Sequence, residues 1–134
     1  MDRLLKMMRR LAKKHKENWI LKKQYVDIKL VRRKRHQRVY MSLEDGFYSF
    51  YSVVMGSTAV KKNYQRWNEL TVMAWERNAD HELVTFAFDK YDRLIGHIRH
   101  PAEYLDIEEL ELYISNLSFE CDRFELLISG GDKF

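Results

Sequence analysis

Near the end of the chain, apolar residues recur at Ile107, Leu110, Ile114, Leu117, Cys121, Phe124 and Ile128, with gaps alternating between three and four. That spacing lays all seven on one stripe of an α-helix and predicts a closing helix over residues 105–128. Asp106 and Glu109, three apart, form a capping-box pattern at its head. Gly130 and Gly131 stop it, because glycine accepts the left-handed conformation that closes many helices. Such a stripe needs an apolar floor, and the rest of the chain reads as its supplier.

The pattern upstream alternates between helix and strand. Residues 3–16 read as a helix with Leu4, Leu5, Met8, Leu11 and Ala12 on one side and Arg3, Lys6, Arg9, Arg10, Lys13 and Lys14 on the other. Three strands follow, at residues 25–31, 39–43 and 47–55, the last two joined by the Asp45-Gly46 turn signal. The third strand is bulky on both faces, which marks it as covered on both sides or as offering an aromatic face to a partner. After Gly56, Ser57 or Thr58 is placed to cap a second helix running to about Asn78.

On that helix Leu70, Met73 and Trp75 widen the apolar arc beyond what one sheet face covers, making them candidate subunit-interface residues. Leu112 and Phe119 join them from off the main stripe of the closing helix. Asp80-His81 breaks the second helix, residues 83–88 and 94–98 pair as another hairpin, and Pro101 ends it. The order is α-β-β-β-α-β-β-α. It predicts one α+β domain over residues 1–134, an antiparallel five-stranded sheet packed by helices, with residues 1–17 as a basic amphipathic N-terminal helix.

Charge changes this picture more than composition does. Residues 1–40 carry 15 Lys/Arg against 3 Asp/Glu, and residues 41–134 carry 9 against 17. Either the basic part meets an external anion, or the two parts complement each other within or between subunits. Residues 32–38 at the first hairpin tip are the densest cluster. Arg9, Arg10, Arg32, Arg33, Lys34 and Arg35 are the candidate anion-binding residues, by the affinity of guanidinium and ammonium groups for phosphate. The opposite reading is a solvated loop that keeps a sheet edge from pairing. The cluster holds no aromatic residue on which a base could stack. The N-terminal helix reads first as docked on the domain by its apolar face, with an anionic membrane surface as the alternative.

No apolar run reaches the roughly 18–20 residues that span a bilayer, and residues 1–16 lack a secretory apolar block. The lone Cys121 excludes an internal disulfide and fits a cytoplasmic location. It lies on the buried stripe, so it reads as a core residue rather than a nucleophile. His81, His97 and His100 fall short of a zinc-ligand set. No phosphate loop, nucleophile elbow or metalloprotease pattern occurs. The expectation is therefore a protein that is not an enzyme and needs no cofactor or metal.

Gln37 to Leu43 followed by Phe47 to Val54 is similar to the central hairpin of YbjN-like proteins. Asp92 to His97 with His100 to Glu103 resembles that family's second hairpin and its exit, and Leu105 through Glu125 its closing helix. The likeness covers residues 37–130, and the element order extends it to the whole chain. That order is also the fold of class I type III secretion chaperones, to which YbjN-like domains are related. The resemblance implies a small cytoplasmic, non-enzymatic, often homodimeric domain that binds peptides or partner proteins. The chain departs from it in the strongly basic first hairpin and N-terminal helix, and in a turn at Tyr91-Asp92 without glycine.

The leading expectation is a chaperone-like or adaptor module that captures an extended client peptide on the Tyr48, Phe50, Ser52 and Val54 side of the third strand. The alternative is a regulatory nucleic-acid binder using the basic N-terminal helix and the 32–38 tip.

Overall fold

Four helices and six strands follow one another in the computed structural model, which describes residues 1–30, 34–80 and 83–129. Expectations resting on Arg32, Arg33, His81, Gly130 and Gly131 lie outside those residues. Helix α1 (Asp2–Lys14) buries Leu4, Met8 and Leu11, the 4-3 spacing of one helical face. Lys13 and Lys14 sit in its last turn, where cations suit the helix dipole. A short strand, β1 (Trp19–Leu21), then pairs with β2 (Tyr25–Leu30).

Strand β3 (Arg35–Glu44) starts four residues before the sequence expectation. Of its polar early residues, Gln37 enters the core because its amide is satisfied there. Gln37 Nε2 donates to Ser52 Oγ at 2.7 Å and to the Val53 carbonyl at 2.8 Å, and Ser52 Oγ donates to the Arg38 carbonyl at 2.6 Å. A two-residue turn with Asp45 at φ 52° and Gly46 at φ 78° leads into β4 (Phe47–Met55).

The expected second helix is divided into α2 (Ser57–Lys62), a 3₁₀ turn (Tyr64–Arg66) and α3 (Trp67–Asp80). Asn63 divides it. Its side chain donates to the Ala59 carbonyl at 2.7 Å, and its carbonyl accepts from Arg66 N at 2.8 Å, so the helical bonds end there. Gly56, not Ser57 or Thr58, occupies the N-cap, and no side chain caps this helix.

β5 (Thr85–Phe88) and β6 (Leu94–Pro101) complete a six-stranded, wholly antiparallel sheet in the order β1-β2-β3-β4-β6-β5. The sixth strand is β1, absent from the sequence expectation.

Helix α4 (Ile107–Ser129) crosses one face of this sheet, against β3, β4 and β6. The capping box is formed: Glu109 N donates to Asp106 Oδ1 at 2.7 Å, and Asp106 N donates to Glu109 Oε1 at 3.2 Å. Leu110, Ile114, Leu117, Cys121, Phe124 and Ile128 are buried on Val39, Met41, Phe50, Val54, Leu94 and Ile98. The approach is close at Gly96, where an added Cβ would lie 2.5 Å from Cys121 Sγ. α1 packs on β1 and α4, and α3 on β5.

A candidate peptide-binding groove between α1 and β1

The face of β4 expected to receive a client lies beneath α4. Tyr48, Phe50, Ser52 and Val54 are all buried, and Phe50 is wholly inaccessible at 6.3 Å from the Tyr113 ring of α4. With bulky residues on both faces, the two-residue period of β4 could not tell which face α4 would take. The uncovered face holds Phe47, Ser49, Tyr51, Val53 and Met55, all half-buried, with Tyr51 stacked on Tyr40 at 4.9 Å.

Of the candidate anion-binding residues, Arg9, Arg10, Lys34 and Arg35 are among those described, and they differ in setting. Arg9 and Arg10 are exposed on α1, and Lys34 is exposed at φ 54°. Arg35 turns inward. Its Nε donates to Asp122 Oδ1 at 2.7 Å and its Nη2 to Glu125 Oε1 at 2.8 Å, which together hold the guanidinium above its ordinary pKa. Arg3 donates to the carbonyls of Ala102 and Leu105, both at 2.6 Å, and Lys14 reaches Glu111 at 2.9 Å. Arg3, Lys14 and Arg35 of the basic N-terminal part are thus matched to the C-terminal part within one molecule.

Of the candidate interface residues, Leu70 is wholly buried and Met73 half-buried, so Leu70 belongs to the core. Trp75 is 70% exposed, Leu112 47% and Phe119 44%. Cys121 is buried, its thiol pushed far up by desolvation, and it donates to the Ser52 carbonyl at 3.7 Å. Among the described residues no His/Cys/Asp/Glu group could hold a metal ion, and no helix is long and apolar enough to cross a membrane.

What the structure does assemble is a hollow of about 700 Å³ between α1 and β1. Ala12, Trp19, Ile20 and Leu21 make its apolar surface, and Arg9, Arg10, Lys13 and Lys16 bring four cations to it without a carboxylate. Ile20 is 51% exposed. β1 is a sheet edge. Lys22 N donates to the Tyr25 carbonyl and Lys29 N to the Asn18 carbonyl, on either side of the Ile20–Asp27 pair. Antiparallel alternation therefore turns the Ile20 amide and carbonyl toward β2 and those of Trp19 and Leu21 outward. The Trp19 amide bonds the His15 carbonyl at 2.8 Å, and the Leu21 amide with the Trp19 and Leu21 carbonyls points away from β2.

The other sheet edge is bonded at Phe86. Asn78 of α3 lays its side-chain amide along β5, donating to the Phe86 carbonyl at 2.9 Å and accepting from Phe86 N at 2.6 Å.

No family model and no curated protein sequence matches this chain. A chain of the heterodimeric ExoU–SpcU complex, from the type III secretion system of Pseudomonas aeruginosa, is similar in structure. The TM-score is 0.56 at 13% identity, over 79% of this chain and 84% of that one. The fold is type III secretion chaperone-like. Chains of the ExsC–ExsE complex (TM-score 0.45, 17% identity, 69% of this chain and 67% of that one) and of the HopA1–SchA chaperone–effector complex (0.49, 6%, 80% and 80%) are similar more loosely.

Within this chaperone-like fold, the groove was open to a reading of the sequence that it did not receive. Trp19, Ile20 and Leu21 form an isolated apolar triplet between polar Lys16-Glu17-Asn18 and Lys22-Lys23. Three residues are too few to establish a period.

Proposed function

We propose that this protein is a non-enzymatic peptide- or protein-binding module, cytoplasmic and chaperone-like, that takes an extended client segment as an added strand on β1. The observation that carries this reading is the contrast between the sheet edges: Asn78 of α3 bonds Phe86 on β5, while the Leu21 amide and the Trp19 and Leu21 carbonyls of β1 stay outward in a strand that lines an apolar hollow. Strand addition draws affinity from main-chain bonds and selectivity from side-chain pockets. Four cations around an apolar surface favour a client in which apolar and acidic residues alternate. The fold's likeness to a chain of a secretion complex and the hairpin and helix segments resembling YbjN-like proteins support the same reading.

The test is Leu21→Pro. It deletes an outward amide while sparing the β1–β2 bonds, since proline is tolerated at strand edges. A labelled peptide of alternating valine and glutamate should bind the native chain and lose at least about tenfold in affinity to the variant. Equal binding by both would overturn strand addition. Displacement of the peptide by a nucleic acid single strand or duplex at low salt would favour the rival reading, in which Arg9 and Arg10 meet phosphates.

We propose further that two copies associate through α3, where Trp75 and Val72, 51% exposed, stand together with no covering element among the described residues. Light scattering at two concentrations should find a dimer that Trp75→Asp converts to monomer. A native monomer at the higher concentration would remove this proposal.

A further inference from the structure

Resting on the strand-addition reading, we infer that Glu111, on α4 and outside the groove, is the positioning residue for the groove's inner wall. Its Oε2 lies 2.6 Å from His15 Nε2 and 2.9 Å from Lys14 Nζ. His15 ends α1. Its imidazole stacks on the Trp19 ring at 4.4 Å and 17° between planes, and its carbonyl accepts the Trp19 amide at 2.8 Å. Trp19 is the buried residue of β1 and lines the groove. A continuous chain of contacts thus runs from Glu111 through His15 to Trp19.

The apolar contacts of α1 set which of its faces meets the core, through Leu4, Met8 and Leu11, but the last of them lies four residues before His15 and leaves the final turn to other ties. Directional bonds fix rotation, and α1 has them at both ends: Arg3 to the Ala102 and Leu105 carbonyls, and Lys14 and His15 to Glu111. Arg9, Arg10 and Lys13 ride on α1 between these ties, with Lys16 just beyond. Releasing the second tie lets the last turn rotate, which swings the cations and frees the Trp19 ring. Because Glu111 and His15 are both about a quarter exposed, the same release costs little global stability.

The experiment joins two measurements on the full chain: anisotropy with the valine–glutamate peptide, and the ring-current displacement of the His15 ring protons caused by Trp19. Glu111→Ala should lower affinity about tenfold, the scale of one charge-assisted hydrogen bond, and should abolish the displacement while thermal unfolding barely moves. Glu111→Gln, which keeps an acceptor for His15, should restore most of both. Lys14→Ala, which removes only the exposed arm, should leave both within about twofold of native.

Unchanged affinity in Glu111→Ala overturns the inference, with or without the displacement. If the native chain does not take the peptide, the strand-addition reading falls. The displacement then decides alone whether Glu111 holds His15 on Trp19: its loss in Glu111→Ala supports that role, and its persistence ends it.

Discussion

Arg35, the first residue of β3, reaches the wholly buried carboxylate of Asp122 on α4 at 2.7 Å. A second arm of the same guanidinium meets Glu125 at 2.8 Å, one turn further along the helix. The densest basic stretch of the chain therefore spends one of its charges on the acidic helix, and the β2–β3 hairpin is fastened to α4 by it.

Removing that charge takes from the buried Asp122 carboxylate its 2.7 Å ion pair. Arg35→Met should cost about 3 kcal/mol, seen as a lower midpoint in urea with an unchanged slope. The double variant Arg35→Met/Asp122→Leu should recover much of it, since well-packed apolar residues often replace a buried pair without loss. A double variant as unstable as the single one would mean that the pair has no apolar equivalent here.

The carboxylates of α4 give opposite pH dependences. Burial pushes the Glu125 carboxyl up, against the pull of Arg35. The folded state then binds this proton more readily than the unfolded one, so its contribution to stability rises as pH falls through that raised value toward the ordinary carboxylate range. Hydrogen bonds from Lys14 and His15 hold Glu111 below that range. Its contribution is present above the ordinary range and lost as pH falls through the lowered value. Urea midpoints followed between about pH 7 and pH 3 should show Glu125→Gln flattening the upper part of the profile and Glu111→Gln the acid limb.

Tyr48→Ser and Phe50→Ser separate the buried face of β4 from a binding face. Phe50 is fully inaccessible beneath α4. Truncating it should cost about 3–5 kcal/mol, observed as loss of cooperative thermal unfolding. A stable Phe50→Ser chain that merely lost peptide binding would contradict the packing of α4 on this face.

Gly96 predicts a reciprocal pair. A methyl group there meets Cys121 Sγ at 2.5 Å, with Phe86 and Val84 atoms at 3.1 Å. Gly96→Ala should destabilise by about 1–3 kcal/mol, and adding Cys121→Ala should return part of it, because the sulfur is the closest obstacle. Additive losses in the double variant would locate the strain in Phe86 and Val84 instead.

The parts of the fold legible in the sequence are those where one local pattern decides. Seven stripe residues, Asp106 and Glu109 specify α4 without help, and Asp45-Gly46 specifies its turn. The rest depended on tertiary contacts. Gln37 reads as part of a basic loop until Ser52 and Val53 are beside it to satisfy its amide. Asn63 looks like any helical surface residue until its side chain takes the Ala59 carbonyl. The face of β4 was undetermined because both its faces are bulky. The groove was missed because β1 is short and because His15 and Glu111, 96 residues apart, meet only in the folded chain.

β1 is three residues long. A guest laid along so short an edge gains few main-chain bonds, so its dwell time is set by how well its side chains fill the hollow and face the cations. Affinity differences among related ligands reside mostly in their departure rates. On the proposed reading, a strand held on these terms would leave by itself, and salt would hasten its departure by screening the cations.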